Sequence, residues 1–284
     1  MQYMNKTRAV HHAIITVILA SCVIGVPAEH NALRSPQYSF EYAPSTYYYR
    51  ETVLSEASDS NEVFMSLTSS PIVHGLTGIM KRYIEYDWYT QSDLSIILGN
   101  VDYDSSGTGS VSGQDNFILV LQNTINHCWT NTWCVGSGYG FRYLDNDSKL
   151  SVSSTGSFGY ERENYLHYLP ITLTTNQLVR SQFINRVQLQ AKWYYLLDGN
   201  QISRYKQLGC QSDLSNRQSS GYGVELSSRF YDNARKWYYG ISGQHWHIDV
   251  SDTQQVSCFD GNYYGNEPEN RTTMASIIIG YQPY

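Results

Sequence analysis

His245, His247 and Asp249 fall on one parity of an alternating run, and a histidine beside a carboxylate can activate water as a general base. Asp102 and Asp104, also two residues apart, could add an acidic pair near the same level. Such spacing is cheap in any strand, and these residues read more simply as a polar rim. Arg142, Lys192, Glu225 and Arg229 take the parity opposite their apolar neighbours, so they group as charges on one side of a sheet. Five cysteines are present; if Cys22 leaves with an N-terminal leader, Cys128, Cys134, Cys210 and Cys258 remain. An even number in an exported chain reads as two disulfides. No Cys-x-x-Cys or histidine pair has metal spacing, so neither a zinc site nor another cofactor is expected. The net charge of −6 offers no basic footprint for nucleic acid.

The leader is legible. Lys6 and Arg8 precede an apolar stretch from Ala13 to Val26, and Val26-Pro27-Ala28 supplies small residues for signal peptidase. Cleavage is expected between Ala28 and Glu29, giving a signal peptide at 1–28 and one domain at 29–284. Leu19-Ala20-Ser21-Cys22 also resembles a lipobox, with Cys22 as the lipid-bearing residue, although Val23-Ile24 and the downstream site favour simple cleavage. The stretch is shorter than the roughly 20 residues a permanent helix needs to cross a bilayer.

Period-2 alternation marks the remaining chain. Tyr222, Val224, Leu226, Ser228 and Phe230 share one face, opposite Gly223, Glu225, Ser227 and Arg229. Val187, Leu189, Ala191, Trp193, Tyr195 and Leu197 oppose Gln188, Gln190, Lys192, Tyr194 and Asp198, and Val135 to Tyr143 alternates with Gly136, Gly138, Gly140 and Arg142. Runs of about nine to twelve residues exceed a soluble strand and match a tilted membrane strand. The 26 tyrosines, against 8 phenylalanines and 6 tryptophans, suit a wall that meets both lipid and water.

Ten strands follow, at about 38–50, 73–88, 93–104, 116–127, 135–145, 162–173, 183–197, 221–231, 237–248 and 272–282. Pro44 in the first marks a bulge or an edge. The connections alternate long and short, about 22, 4, 11, 7, 16, 9, 23, 5 and 23 residues, as extracellular loops and periplasmic turns of a barrel do. Polar runs at Ser55 to Asn61, Ser105 to Gln114, Asp145 to Gly156 and Gly209 to Ser220 occupy the long connections. The expectation is an all-β, antiparallel transmembrane β-barrel of ten strands with both termini in the periplasm. The last strand ends near the aromatic Tyr284, with Pro283 beside it.

An ordered set of segments resembles a family of uncharacterised Gram-negative outer-membrane β-barrel proteins. It comprises Tyr49-Arg50-Glu51, Val101-Asp102-Tyr103-Asp104, Gly138 to Leu144, Gly159 to Glu163, Tyr168-Leu169-Pro170, Gly221-Tyr222-Gly223, Trp246 with Ile248-Asp249, and Glu267 to Asn270. The resemblance spans nearly the whole mature chain. It implies a barrel in the bacterial outer membrane and brings no activity or catalytic residue with it. His247 stands where the resemblance leads one to expect an acid.

An arginine or lysine on the lipid face costs about 2–4 kcal/mol at mid-membrane, so the charged parity points into the lumen. Ten strands leave little free bore, and Arg142, Lys192, Glu225 and Arg229 are expected to pair there as part of a charged plug. Inward glycines make room for large neighbours. Topology selects the disulfides: Cys128 and Cys134 bracket a periplasmic turn, while Cys210 and Cys258 lie in extracellular loops. A mixed pair would have to cross about 30 Å of hydrocarbon. By the chain-entropy account the bridges contribute roughly 2 and 4 kcal/mol. The expected role is non-enzymatic: membrane integrity, surface interaction or narrow passive passage. The alternatives are an omptin-like surface protease, since omptins are ten-stranded barrels using acidic and His–Asp pairs, and a soluble or lipid-anchored barrel binding a small ligand. A monomer embedded in outer-membrane lipid and inserted by the barrel-assembly machinery completes the expectation.

Overall fold

Side chains that alternate over runs longer than a soluble strand produce a closed wall. The computed structural model describes residues 35–55, 60–130, 132–179, 181–232, 236–259 and 261–283. The leader at 1–28, with Cys22, lies outside them. The strands are β1 (Gln37–Ser55), β2 (Ser60–Tyr83), β3 (Trp88–Ser105), β4 (Gly109–Cys128), β5 (Trp133–Asp147), β6 (Glu161–Leu178) and β7 (Ile184–Ser203). They continue as β8 (Leu214–Gln218), β9 (Gly221–Asp232), β10 (Trp237–Ile248), β11 (Gln254–Cys258), β12 (Gly261–Gly265) and β13 (Glu269–Tyr281). Ten of them form one antiparallel ring in the order β6-β5-β4-β3-β2-β1-β13-β10-β9-β7, closed by the β6–β7 ladder. β8 extends the upper end of β7, and β11–β12 is a separate hairpin in the connection before β13.

The outer face carries aliphatic residues that water would not tolerate as a band. Leu226, Ile241 and Ile277 are each more than 60% exposed, and Leu76, Leu98 and Ile125 continue the belt. Aromatic girdles bound it. Trp88, Trp133, Trp237 and Tyr281 mark the end that holds the termini; Tyr48, Tyr143, Tyr165, Tyr195 and Tyr222 mark the other. Ring pairs tie neighbouring strands at these levels, with centroids 4.9 Å apart for both Trp237–Tyr281 and Tyr143–Tyr165.

Two loop expectations are corrected. Ser55 and Ser60-Asn61 are in strands, as are Ser105 and Gly109 to Gln114, because β1–β2 and β3–β4 continue above the girdle as paired ladders; 56–59 lie outside the described residues. There the outward positions, such as Ser66 and Thr68, meet water, so the apolar alternation that identifies a membrane strand disappears. The long outer connections are 148–160, 204–220 and 249–268. Pro44 sits in register opposite His74; the bulge lies in β2 beside it, where the ladders to β1 and β3 both slip around Ser70-Pro71-Ile72. Proline has no N–H to give the ladder there. A second slip, between Tyr168–Leu196 and His167–Asp198, turns Asp198 outward, where it pairs with Arg217 at 2.7 Å instead of joining the inward face.

Inside, glycine seats aromatic rings. A Cβ on Gly140 would meet the Tyr168 ring at 2.1 Å, and one on Gly223 would meet Trp246 at 2.7 Å. Gly140→Val is therefore expected to destabilise the barrel by about 1–3 kcal/mol through overpacking. The check is a lower temperature for loss of the compact, heat-modifiable gel form.

Candidate functional site: a sealed lumen between two chambers

The lumen narrows to an aromatic seal at mid-wall. Tyr168 from β6, Tyr194 from β7 and Trp246 from β10 take inward parity and are almost fully buried. Tyr194 stacks on Trp246 with centroids 5.0 Å apart, and Tyr168 meets both edge-on at 5.1 and 5.2 Å. Leu166, Leu196 and Ile248 complete this cluster. A second cluster from the facing strands brings Tyr47, Leu67, Val101, Ile118 and Leu144. Arg142 lies between the clusters, its guanidinium 5.9 Å from the Trp246 ring. A cavity of about 20 Å³, room for about one water, lies among Arg142, Leu144, Leu166 and Ile248.

Buried charges sit below the seal. Lys192 pairs with Glu225 at 3.0 Å, and Glu225 also accepts from Tyr194 at 2.7 Å, which links the seal to the ion pair. Arg229 grips Glu41 with Nε and Nη2 at 2.7 and 3.2 Å, and Tyr238 donates to the same carboxylate at 3.0 Å. Of the four charges assigned to the lumen from sequence, all face inward, and Lys192 and Glu225 pair with each other. Arg229 takes a partner that sequence reasoning missed, Glu41. Arg142 stands apart, with aromatic neighbours and no carboxylate of a described residue within ion-pairing distance. The clue to Glu41 was its parity opposite Tyr38, Phe40 and Tyr42. This lower region opens toward the periplasmic turns as a chamber of about 840 Å³.

Above the seal is a vestibule of about 690 Å³. Its floor holds a strut that no local sequence pattern announces. Arg162 on β6 reaches both Glu51 on β1 and Glu267 in the 249–268 connection. β6 and β1 lie five strands apart in either direction around the ring, so the strut spans the bore. Tyr49 donates to Glu51 at 2.8 Å and to Glu267 at 3.3 Å. Phe64, Tyr103, Phe158, Tyr160, Tyr205 and Tyr264 line the walls. Gln114 is buried at the edge of this space, its Oε1 without a hydrogen-bond partner. The Cys210–Cys258 disulfide ties the 204–220 and 249–268 connections into a roof, and Cys128–Cys134 closes the periplasmic turn between β4 and β5.

Of the histidine and acid candidates only His247 and Asp249 meet, and they do so on the outer face. Trp246 and Ile248 take the inward parity of β10, so His245, His247 and Asp249 face outward. His247 contacts Asp249 at 3.0 Å and Glu269 at 3.6 Å, and its ring packs near Tyr222. Asp102 also faces outward, capping the Gly113 N–H at 2.9 Å, and Asp104 shares its parity. All five described histidines, His74, His127, His167, His245 and His247, sit on the outer face. Among the described residues no group of three or more histidine, cysteine or acidic side chains is arranged to hold a metal ion.

No family model matches the chain, and no curated relative does. Solved structures do. The outer membrane protease OmpT from Escherichia coli aligns over 90% of this chain and 99% of its own, with a TM-score of 0.57 and 11% identity. An outer membrane channel from Pseudomonas putida F1 aligns over 91% of this chain and 100% of its own, with a TM-score of 0.42 and 11% identity. The chain has the fold of an outer-membrane β-barrel.

Burial pushes the Glu267 carboxyl up to about 8, against the pull of Arg162 and with the help of Glu51. The folded state therefore keeps a proton that the unfolded chain releases near its ordinary value of 4.5. That contribution to stability is fully present below pH 4.5 and falls as pH rises through about 8. Thermal midpoints of the purified protein at several pH values should decline across this window, and Glu267→Gln should flatten the decline. Arg162→Ala should cost about 3–5 kcal/mol at neutral pH by leaving the buried Glu51 without its cation.

Proposed function

We propose that the protein is a non-enzymatic outer-membrane barrel that binds a ligand at the cell surface and keeps its lumen shut beneath that site. The seal carries the reading: two chambers of several hundred Å³ lie on either side of a layer in which Tyr168, Tyr194 and Trp246 are almost fully buried. The vestibule suits a molecule with flat apolar faces and at least one hydrogen-bond donor. Its aromatic walls supply the faces, and the hydroxyls of Tyr103, Tyr160, Tyr205 and Tyr264 belong to the same lining. The absence of a histidine in either chamber, among the described residues, weighs against the omptin-like alternative. The same reading takes the protein as a monomer in outer-membrane lipid, inserted by the barrel-assembly machinery.

Planar-bilayer recording tests it. The unaltered protein should give no steady conductance, while Tyr168→Ala combined with Trp246→Ala should produce discrete openings. Steady conductance from the unaltered protein would replace this reading with narrow passive passage.

A further inference from the structure

Most charges lining the periplasmic chamber are already satisfied. Arg229 holds Glu41 and Lys192 holds Glu225. Asp93 accepts from Gln91 on both oxygens, at 2.9 and 3.2 Å, and Asp87 at the mouth meets His127 at 3.1 Å. Lys81 and Arg186 are different. No carboxylate of a described residue lies within ion-pairing distance of either. Each rests instead on tyrosine: Lys81 Nζ is 3.7 Å from the Tyr89 ring centroid and 5.0 Å from that of Tyr83, and the Arg186 guanidinium is 3.7 Å from the Tyr231 ring. Tyr89 and Tyr231 are buried, so both cations stand on fixed supports.

The two cations line the same chamber from opposite walls. Lys81 is on β2 and Arg186 on β7, five strands apart in either direction. Ring faces stabilise each cation through their quadrupole but neutralise neither. Two like charges lining one chamber, with a planar fork on one wall and a compact ammonium on the other, match an oxyanion. Both side chains face the lumen, so a lipid headgroup on the outer wall does not reach them.

We propose that the periplasmic mouth is an anion-binding site in which Lys81 and Arg186 clamp a compact dianion, a phosphate or a small dicarboxylate, entering from the periplasm. The site is separate from the surface vestibule, and its occupancy does not depend on what binds there.

Calorimetric titration of the refolded full chain with inorganic phosphate, and separately with succinate, tests this. Saturable binding is expected for at least one probe. Lys81→Gln and Arg186→Gln should each weaken it about tenfold, the loss of one charge-assisted contact, and Lys81→Arg should retain it. Binding of phosphate alone assigns a phosphate ligand, and of succinate alone a carboxylate. Heat-modifiable migration establishes that each variant is folded, and Lys81→Arg with Arg186→Lys tests the same site should a glutamine variant fail to fold. Absence of saturable binding for both probes, or binding unchanged in both glutamine variants, overturns the proposal.

Discussion

A strand in hydrocarbon has no water to satisfy its edge, so the β6–β7 ladder is the closure on which everything else depends. With ten strands closed, each residue has one of two destinations, lipid or lumen. Parity then becomes chemistry. Leu226 faces acyl chains while its neighbours Glu225 and Ser227 face the bore, and a slip of one residue would exchange them. Slips of register recur in five of the ladders. The one between β6 and β7 sends Asp198 out to Arg217, just above the lipid belt.

A ten-stranded ring also sets the bore. It is narrow enough for side chains from non-neighbouring strands to touch, which is how Arg162 reaches Glu51 and Arg229 reaches Glu41. Bulk goes where a glycine faces it, so Tyr168 lies over Gly140 and Trp246 over Gly223. The result is stratified: an aromatic layer that excludes water, ion pairs beneath it that brace the wall, and a second strut above it beneath the disulfide-tied roof. Tyr194 couples two of these layers, since its ring stacks in the seal and its hydroxyl donates to Glu225.

Much of the lower half of the wall was legible in the sequence, because there the outward face must be apolar and the alternation survives, although the turn expected at 89–92 falls at 84–87 and β6 runs on to Leu178. β9 and β10 begin and end within a residue of their expected bounds. The upper halves of β1 to β4 were not legible. Their outward faces meet water, and Ser66 or Thr68 reads as loop. The cross-lumen pairs were also hidden, for a geometric reason. Arg229 and Glu41 are 188 residues apart, and Arg162 and Glu51 are 111 apart; only ring closure brings them together. Local spacing likewise misdirected attention to His247 and Asp249, which meet each other on the outer rim, away from both chambers. What sequence could offer there was parity, and the inward parity of β10 belongs to Trp246.

The central claim is that water-filled space above the seal is not continuous with that below it. Side-specific thiol labelling in liposomes carrying the barrel with its loops outward tests this most directly. Tyr264→Cys lies in the vestibule and Ser242→Cys in the lower chamber. A small charged methanethiosulfonate added outside should modify Tyr264→Cys at once and leave Ser242→Cys unmodified until detergent is added. Modification of both cysteines at similar rates before detergent would contradict the account.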